Sequence, residues 1–131
     1  MRIALMADIH ANRFALEACL EHARYHAMER LVFLGDYVGY GAQPNEVLEL
    51  IMAETARGAI AVAGNHDQAV ANDRDIMTPD AETAMAWTRG QLGPAARDFL
   101  ASLPLRFEDG TRLYVHASPQ TYPPWIYIRE G

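Results

Sequence analysis

The sequence predicts an α/β fold: a parallel βαβαβ sheet followed by helices and a β-hairpin. Three observations carry that prediction. Short apolar runs alternate with stretches of helical periodicity through the first half of the chain. The runs recur at roughly thirty-residue intervals, the length of one βα unit. Near the end, Glu108-Asp109-Gly110-Thr111 separates two short alternating runs. Asp-Gly in that setting is the strongest short-range hairpin signal.

Each element has its own warrant. Residues 2–7 are a short apolar run suited to a buried strand. From Asn12, a natural N-cap, Leu16, Cys19/Leu20 and Ala23 recur at helical spacing. Cys19 within that stripe is expected to be a buried apolar thiol. Residues 30–35 form a second buried strand stopped by Gly35, and 39–45 are a Gly-rich loop. Residues 44–57 read as a helix with Val47, Leu48, Ile51 and Met52 inward, and 58–64 as a third strand between glycines. A helix over 80–93 has Ala84, Trp87 and Leu92 as apolar markers. Another over 93–104 carries Pro94 in its first turn and packs Phe99, Leu100 and Leu103. The tail from Pro119 onward is rich in proline and aromatic residues.

Composition narrows the function classes. At 131 residues the chain is the size of one domain, half of it is apolar, and its net charge is -6. With no Lys/Arg patch, nucleic-acid binding by backbone attraction is not expected. An anionic substrate would need positive charge from elsewhere, such as a bound metal. One cysteine excludes an internal disulfide and any Cys-based zinc cluster. There is no signal-peptide pattern and no run of membrane-spanning length, so a cytoplasmic protein without membrane association is expected.

The polar residues gather at strand ends. Asp8 and His10 follow the first run, Asp36 the second, Asn65 and His66 the third, and His116 closes the second hairpin strand. Right-handed crossovers place the three parallel strand ends on one edge. Ligands of open α/β sheets bind at that edge. Carboxylate oxygens mixed with imidazole nitrogens suit Mn, Fe or Zn better than Ca or Mg. A carboxylate can bridge two ions, and a pair about 3.5–4 Å apart can clamp a phosphoryl group and activate water. His22 and His26, one helical turn apart, lie off the apolar stripe and are expected to face solvent.

Taken together, Ala-Asp-Ile-His-Ala-Asn (7–12), Gly-Asp-Tyr-Val-Gly-Tyr-Gly (35–41), Gly-Asn-His-Asp (64–67) and Val-His-Ala-Ser-Pro (115–119) resemble the calcineurin-like metallophosphoesterase superfamily. The resemblance covers nearly the whole chain and is greatest to the prokaryotic branch with GDxxGYG after the second strand. It implies part of a four-layer αββα sandwich and two divalent metal ions, most often Mn, with Fe, Zn, Ni or Co as alternatives. Asp8 and His10 would bind the first ion, Asp36 would bridge both, and Asn65 and His116 would bind the second. His66 would be the catalytic residue, contacting phosphate and helping to protonate the leaving oxygen after attack by a metal-bridging hydroxide. The substrate would be a small phosphate ester: a phosphomonoester, a phosphodiester or a nucleotide. Tyr-Pro-Pro-Trp-Ile-Tyr at 122–127 is a candidate pocket wall.

The sequence departs from the family pattern in three places. Protein Ser/Thr phosphatases of the superfamily usually have Asp-Arg where this chain has Gly39-Tyr40, and the Asp orients the catalytic imidazole. The glycines frequent after His10 and His116 are Ala11 and Ala117. The usual Gly-His-x-His motif, one histidine per metal, is missing, since no histidine follows His116. Residues 1–131 are therefore expected to form a single incomplete domain, the first half of the sandwich plus one hairpin. Its alternative function is a catalytically impaired metal-binding module lacking two ligands. An unfinished second sheet would favour a homo-oligomer. Asp67 is expected to cap a following helix or to orient His66.

Overall fold

Strands β1 (Ile3–Met6), β2 (Arg30–Phe33) and β3 (Ile60–Ala61) pair in parallel in the order β1-β2-β3. A computed structural model describes residues 1–72, 78–119 and 125. Ile3 to Met6 stand opposite Arg30 to Phe33, and Val32 and Phe33 opposite Ile60 and Ala61. This register puts all three strand ends on one edge. Helices α1 (Arg13–Tyr25) and α2 (Pro44–Ala56) make the two crossovers. Asn12 caps α1 by accepting a hydrogen bond from Ala15 N at 3.0 Å, and Pro44 opens α2.

Beyond the sheet come α3 (Asn65–Asn72), α4 (Pro79–Gln91) and α5 (Pro94–Ser102). They are followed by the antiparallel hairpin of β4 (Arg106–Asp109) and β5 (Arg112–Val115). Its turn has Gly110 at φ +62°. Thr78 caps α4, with its hydroxyl oxygen accepting from Ala81 N.

Successive residues of β2 point to opposite faces and so join two cores. Leu31 and Phe33 meet Leu16 and Leu20 of α1, Leu48 and Ile51 of α2, Met85 of α4 and Leu100 of α5 in the main core. Val32 points the other way and forms a much smaller cluster with Ile60 and Tyr114 of the hairpin. Ile3 of β1 packs partly buried against this cluster, whereas Leu5, in register with Val32, is 57% exposed, so the hairpin leaves part of β1 uncovered. Among the described residues no helix is long and apolar enough to cross a membrane.

Four expectations need correction. Cys19 is exposed: the buried stripe of α1 is Leu16, Leu20 and Ala23, and Cys19 turns instead into a groove beside β1. Trp87 is 46% exposed because α4 buries Ala81, Met85 and Thr88, the stripe beside it. The third strand pairs over two residues only. Val62 N still donates to Phe33 O, but Ala63 N turns to Pro104 O, which ends the ladder. Finally, Asn65, His66 and Asp67 do not merely follow a strand; they are the first turn of α3.

Candidate metal centre

The loops leaving β1 and β2 run side by side. Asp8 N donates to Gly35 O, His10 N to Asp36 O and Ala11 N to Tyr37 O, at 2.8–3.0 Å. These bonds extend the strand pairing into irregular backbone. Asp8, His10, Ala11, Asp36, Tyr40 and Ala117 all have φ between 46° and 64°. Residues with a Cβ avoid that region at a cost of about 1–2 kcal/mol each. The surrounding structure must hold them there. Gly64 leaves room for Asp36, since a Cβ on it would lie 2.1 Å from Asp36 Oδ1.

Asp36 is the centre of the arrangement. It is buried, with Oδ1 accepting from His66 N at 3.0 Å. Its free oxygen, Oδ2, lies 3.7 Å from His10 Nε2 and 3.6 Å from His116 Nε2. Asp8 Oδ1 lies 3.7 Å from the same His10 nitrogen. Ligand atoms of Asp8, Asp36 and His116 fall within 4.8 Å of one another. Burial pushes the Asp36 carboxyl up to about 6, against the opposing influence of His116.

The histidines divide into two kinds. His10 Nδ1 bonds Val38 O at 3.2 Å and His116 Nδ1 bonds Leu34 O at 2.7 Å. A carbonyl only accepts, so each Nδ1 carries the proton and each Nε2 is left with a lone pair facing Asp36. That is the usual tautomer-fixing support of a metal-bound imidazole. His66 differs. Its Nδ1 is buried without a hydrogen-bond partner among the described residues. Burial, and then the neighbouring His10 and His116, push His66 down to about 4.

The donor set fits divalent ions. Asn65 Oδ1 is buried and has no hydrogen-bond partner among the described residues. An orphaned acceptor costs about 1–3 kcal/mol. A cation beside the Asp36 and His116 groups would satisfy it. Asp8, His10, Asp36 and His116 are thus brought together, and Asn65 and His66 join them through the first turn of α3. Of the candidate wall at 122–127, only Trp125 lies among the described residues; its ring stands edge-on to His116, with centroids 5.6 Å apart.

Two contributors were not assigned these places from the sequence. Asp67, fully buried, accepts from Asp36 N (2.7 Å), Tyr37 N (2.9 Å) and Gly64 N (2.8 Å). The bond to Gly64, three residues back, is the N3 half of a capping box, so the capping role expected of Asp67 holds. Its bonds to Asp36 and Tyr37 bolt α3 to the β2 loop and leave His66 Nδ1 unaided. Burial, and then the Asp36 charge, push Asp67 up to about 7 against the backbone N–H groups that donate to it. Tyr40 is the second contributor, its ring packed against both His10 and His66.

The sequence model of calcineurin-like phosphoesterases matches residues 1–126. The chain belongs to the calcineurin-like phosphoesterase family. A metallophosphoesterase from Sphaerobacter thermophilus superposes with a TM-score of 0.80 at 42% identity, covering 98% of this chain and 51% of that one. A protein of Pyrococcus horikoshii superposes at 0.69 with 26% identity, over 82% of this chain and 49% of that one. An uncharacterized protein of Methanocaldococcus jannaschii is 35% identical over 96% of this chain and 53% of its own length. This calcineurin-like phosphoesterase chain therefore spans about half the length of the relatives it matches. The family is metal-dependent, and the group around Asp36 is this chain's possible metal-binding cluster.

Proposed function

We propose that residues 1–131 form one incomplete domain carrying most of a dimetal site that hydrolyses phosphomonoesters, phosphodiesters or nucleotides. The carrying observation is Asp36, with one oxygen pinned by His66 N and the other facing His10 and His116 at 3.7 and 3.6 Å. Asp8 and His10 would hold one ion and Asn65 and His116 the other, with Asp36 shared; Mn suits this mixture, with Fe, Zn, Ni or Co as substitutes. Ions bound there would bring positive charge to a phosphate and lower the pKa of water.

The chain's own residues do the rest. Asp36 keeps its position through the backbone bond rather than by flexing. His66, held neutral by burial, offers an N–H to a phosphate or leaving oxygen. An arriving phosphate would raise its proton affinity by adding negative charge to that of Asp8. Asp8, the most exposed of the carboxylates in the cluster, faces the solvent side through which an ester would enter.

The test is hydrolysis of p-nitrophenyl phosphate and its bis-ester with added Mn. Wild type should turn over, and Asp36→Asn should lose more than about a hundredfold. Equal rates for the two proteins would refute the assignment. A second reading, an impaired metal-binding module, is suggested by the chain's spanning only about half the length of its relatives. It predicts Mn binding by titration without turnover. The proposal also includes self-association through the hairpin side of the sheet, where Phe107 and Leu113 are both 39% exposed.

A further inference from the structure

Among the described residues, His10 and His116 have a hydrogen bond at Nδ1 that fixes the ring, and His66 has none there. Next to His66 Nδ1 stands Gly39, which has no side chain to offer it a hydrogen bond. A Cβ on Gly39 would lie 2.5 Å from His66 Nδ1 and 2.6 Å from Met85 Cε. The ring therefore fills the space above Gly39, and a side chain at that position would have to displace it. A ring free to turn about its Cβ–Cγ bond would present Nε2 to a substrate only part of the time.

Two aromatic rings also bound it, beside the Gly39 backbone and Met85. The Tyr40 and His66 centroids are 4.9 Å apart at 56°, and those of His10 and His66 are 4.9 Å apart at 72°. Tyr40 and His10 close the triangle at 5.2 Å and 60°. His10 cannot swing away, since its Nδ1 is tied to Val38 O. Tyr40 itself sits at φ +64° between Gly39 and Gly41 and is 60% exposed. A large aromatic residue held on strained backbone at the mouth of a site needs a reason. The contact with His66 supplies one.

We propose that Tyr40 is a positioning residue: its ring holds the His66 imidazole by packing, in a site where Gly39 offers no hydrogen-bonded orienting group. This rests on the phosphoesterase reading only for its kinetic consequence. The placement of the ring stands apart from it. Aromatic pairs of this geometry are worth enough to shift a rotamer population by about three- to tenfold.

The test compares Tyr40→Ala and Tyr40→Phe in the full chain. With Mn and p-nitrophenyl phosphate, Tyr40→Ala should lower kcat by about three- to tenfold with KM unchanged, and Tyr40→Phe should restore it. Mn affinity should be equal in all three proteins. Independently of turnover, the His66 ring protons, assigned with a His66→Gln control, should shift in Tyr40→Ala and stay in place in Tyr40→Phe. Three results would overturn the proposal: His66 resonances unmoved in Tyr40→Ala, a Tyr40→Phe defect as large as that of alanine, or a loss confined to KM. Absence of turnover in wild type would instead count against the phosphoesterase reading, with the resonances still deciding the packing.

Discussion

Ala11 and Ala117 hold φ values of 55° and 48°, in the region glycine enters freely. Replacing either by glycine relieves about 1–2 kcal/mol of left-handed strain. It also gives the unfolded chain about 0.4–1 kcal/mol more conformational entropy. The methyl group decides the balance. Ala117 is only partly buried, so Ala117→Gly should raise the free energy of urea unfolding by about 0.5 kcal/mol. Ala11 is 1% exposed, and losing its methyl forfeits about 0.8 kcal/mol more, so Ala11→Gly should be near neutral. A clear loss of stability in Ala117→Gly would contradict this account. The alanines could be picked out in the sequence as departures from glycine. The strain they carry was not legible, because φ is a property of the loop and not of the residue.

At the scale of elements, α3 matters more than its eight residues suggest. Asp67 ties its first turn to the loop after β2, some thirty residues away in sequence. Asp67→Ala would leave the N–H groups of Asp36, Tyr37 and Gly64 buried without that acceptor. At about 1–3 kcal/mol per orphaned donor, unfolding free energy should fall by at least about 3 kcal/mol. Calorimetry or urea unfolding would show it, and a change below 1 kcal/mol would mean that the bonds are replaced. This part of the site was hidden because an acidic residue in Gly-Asn-His-Asp looks like a ligand or a cap, while its partners are featureless main-chain donors. The metal-type residues were legible for the opposite reason. Strand ends recur at a fixed interval, so Asp8, Asp36 and Asn65 could be placed on one edge by counting. Strand extent was less legible: 58–64 is apolar throughout, and nothing in its pattern says that Ala63 bonds Pro104 rather than β2.

The whole molecule is lopsided. One face of the sheet carries the main core, and on the other Val32 and Ile60 meet only Tyr114 of the hairpin as a buried partner. Exposed Phe107 and Leu113 belong to the hairpin on that thinly covered side, in a chain about half as long as its relatives. Apolar surface of this kind drives association. Light scattering should therefore give a mass above that of one chain, falling when Phe107 and Leu113 are both changed to serine. A monomer at all concentrations would contradict the proposed contact.

Cys19, exposed on α1, makes the location of that contact readable. It is the sole thiol of the chain, and it lines a 470 Å³ groove with Leu5, Ala18 and Met28, along the edge of β1 away from β2. Association through the hairpin leaves it open to a maleimide; pairing along β1 would shield it. The chain thus contains its own single-site chemical reporter, in which the rate of one alkylation tells one covered surface from the other.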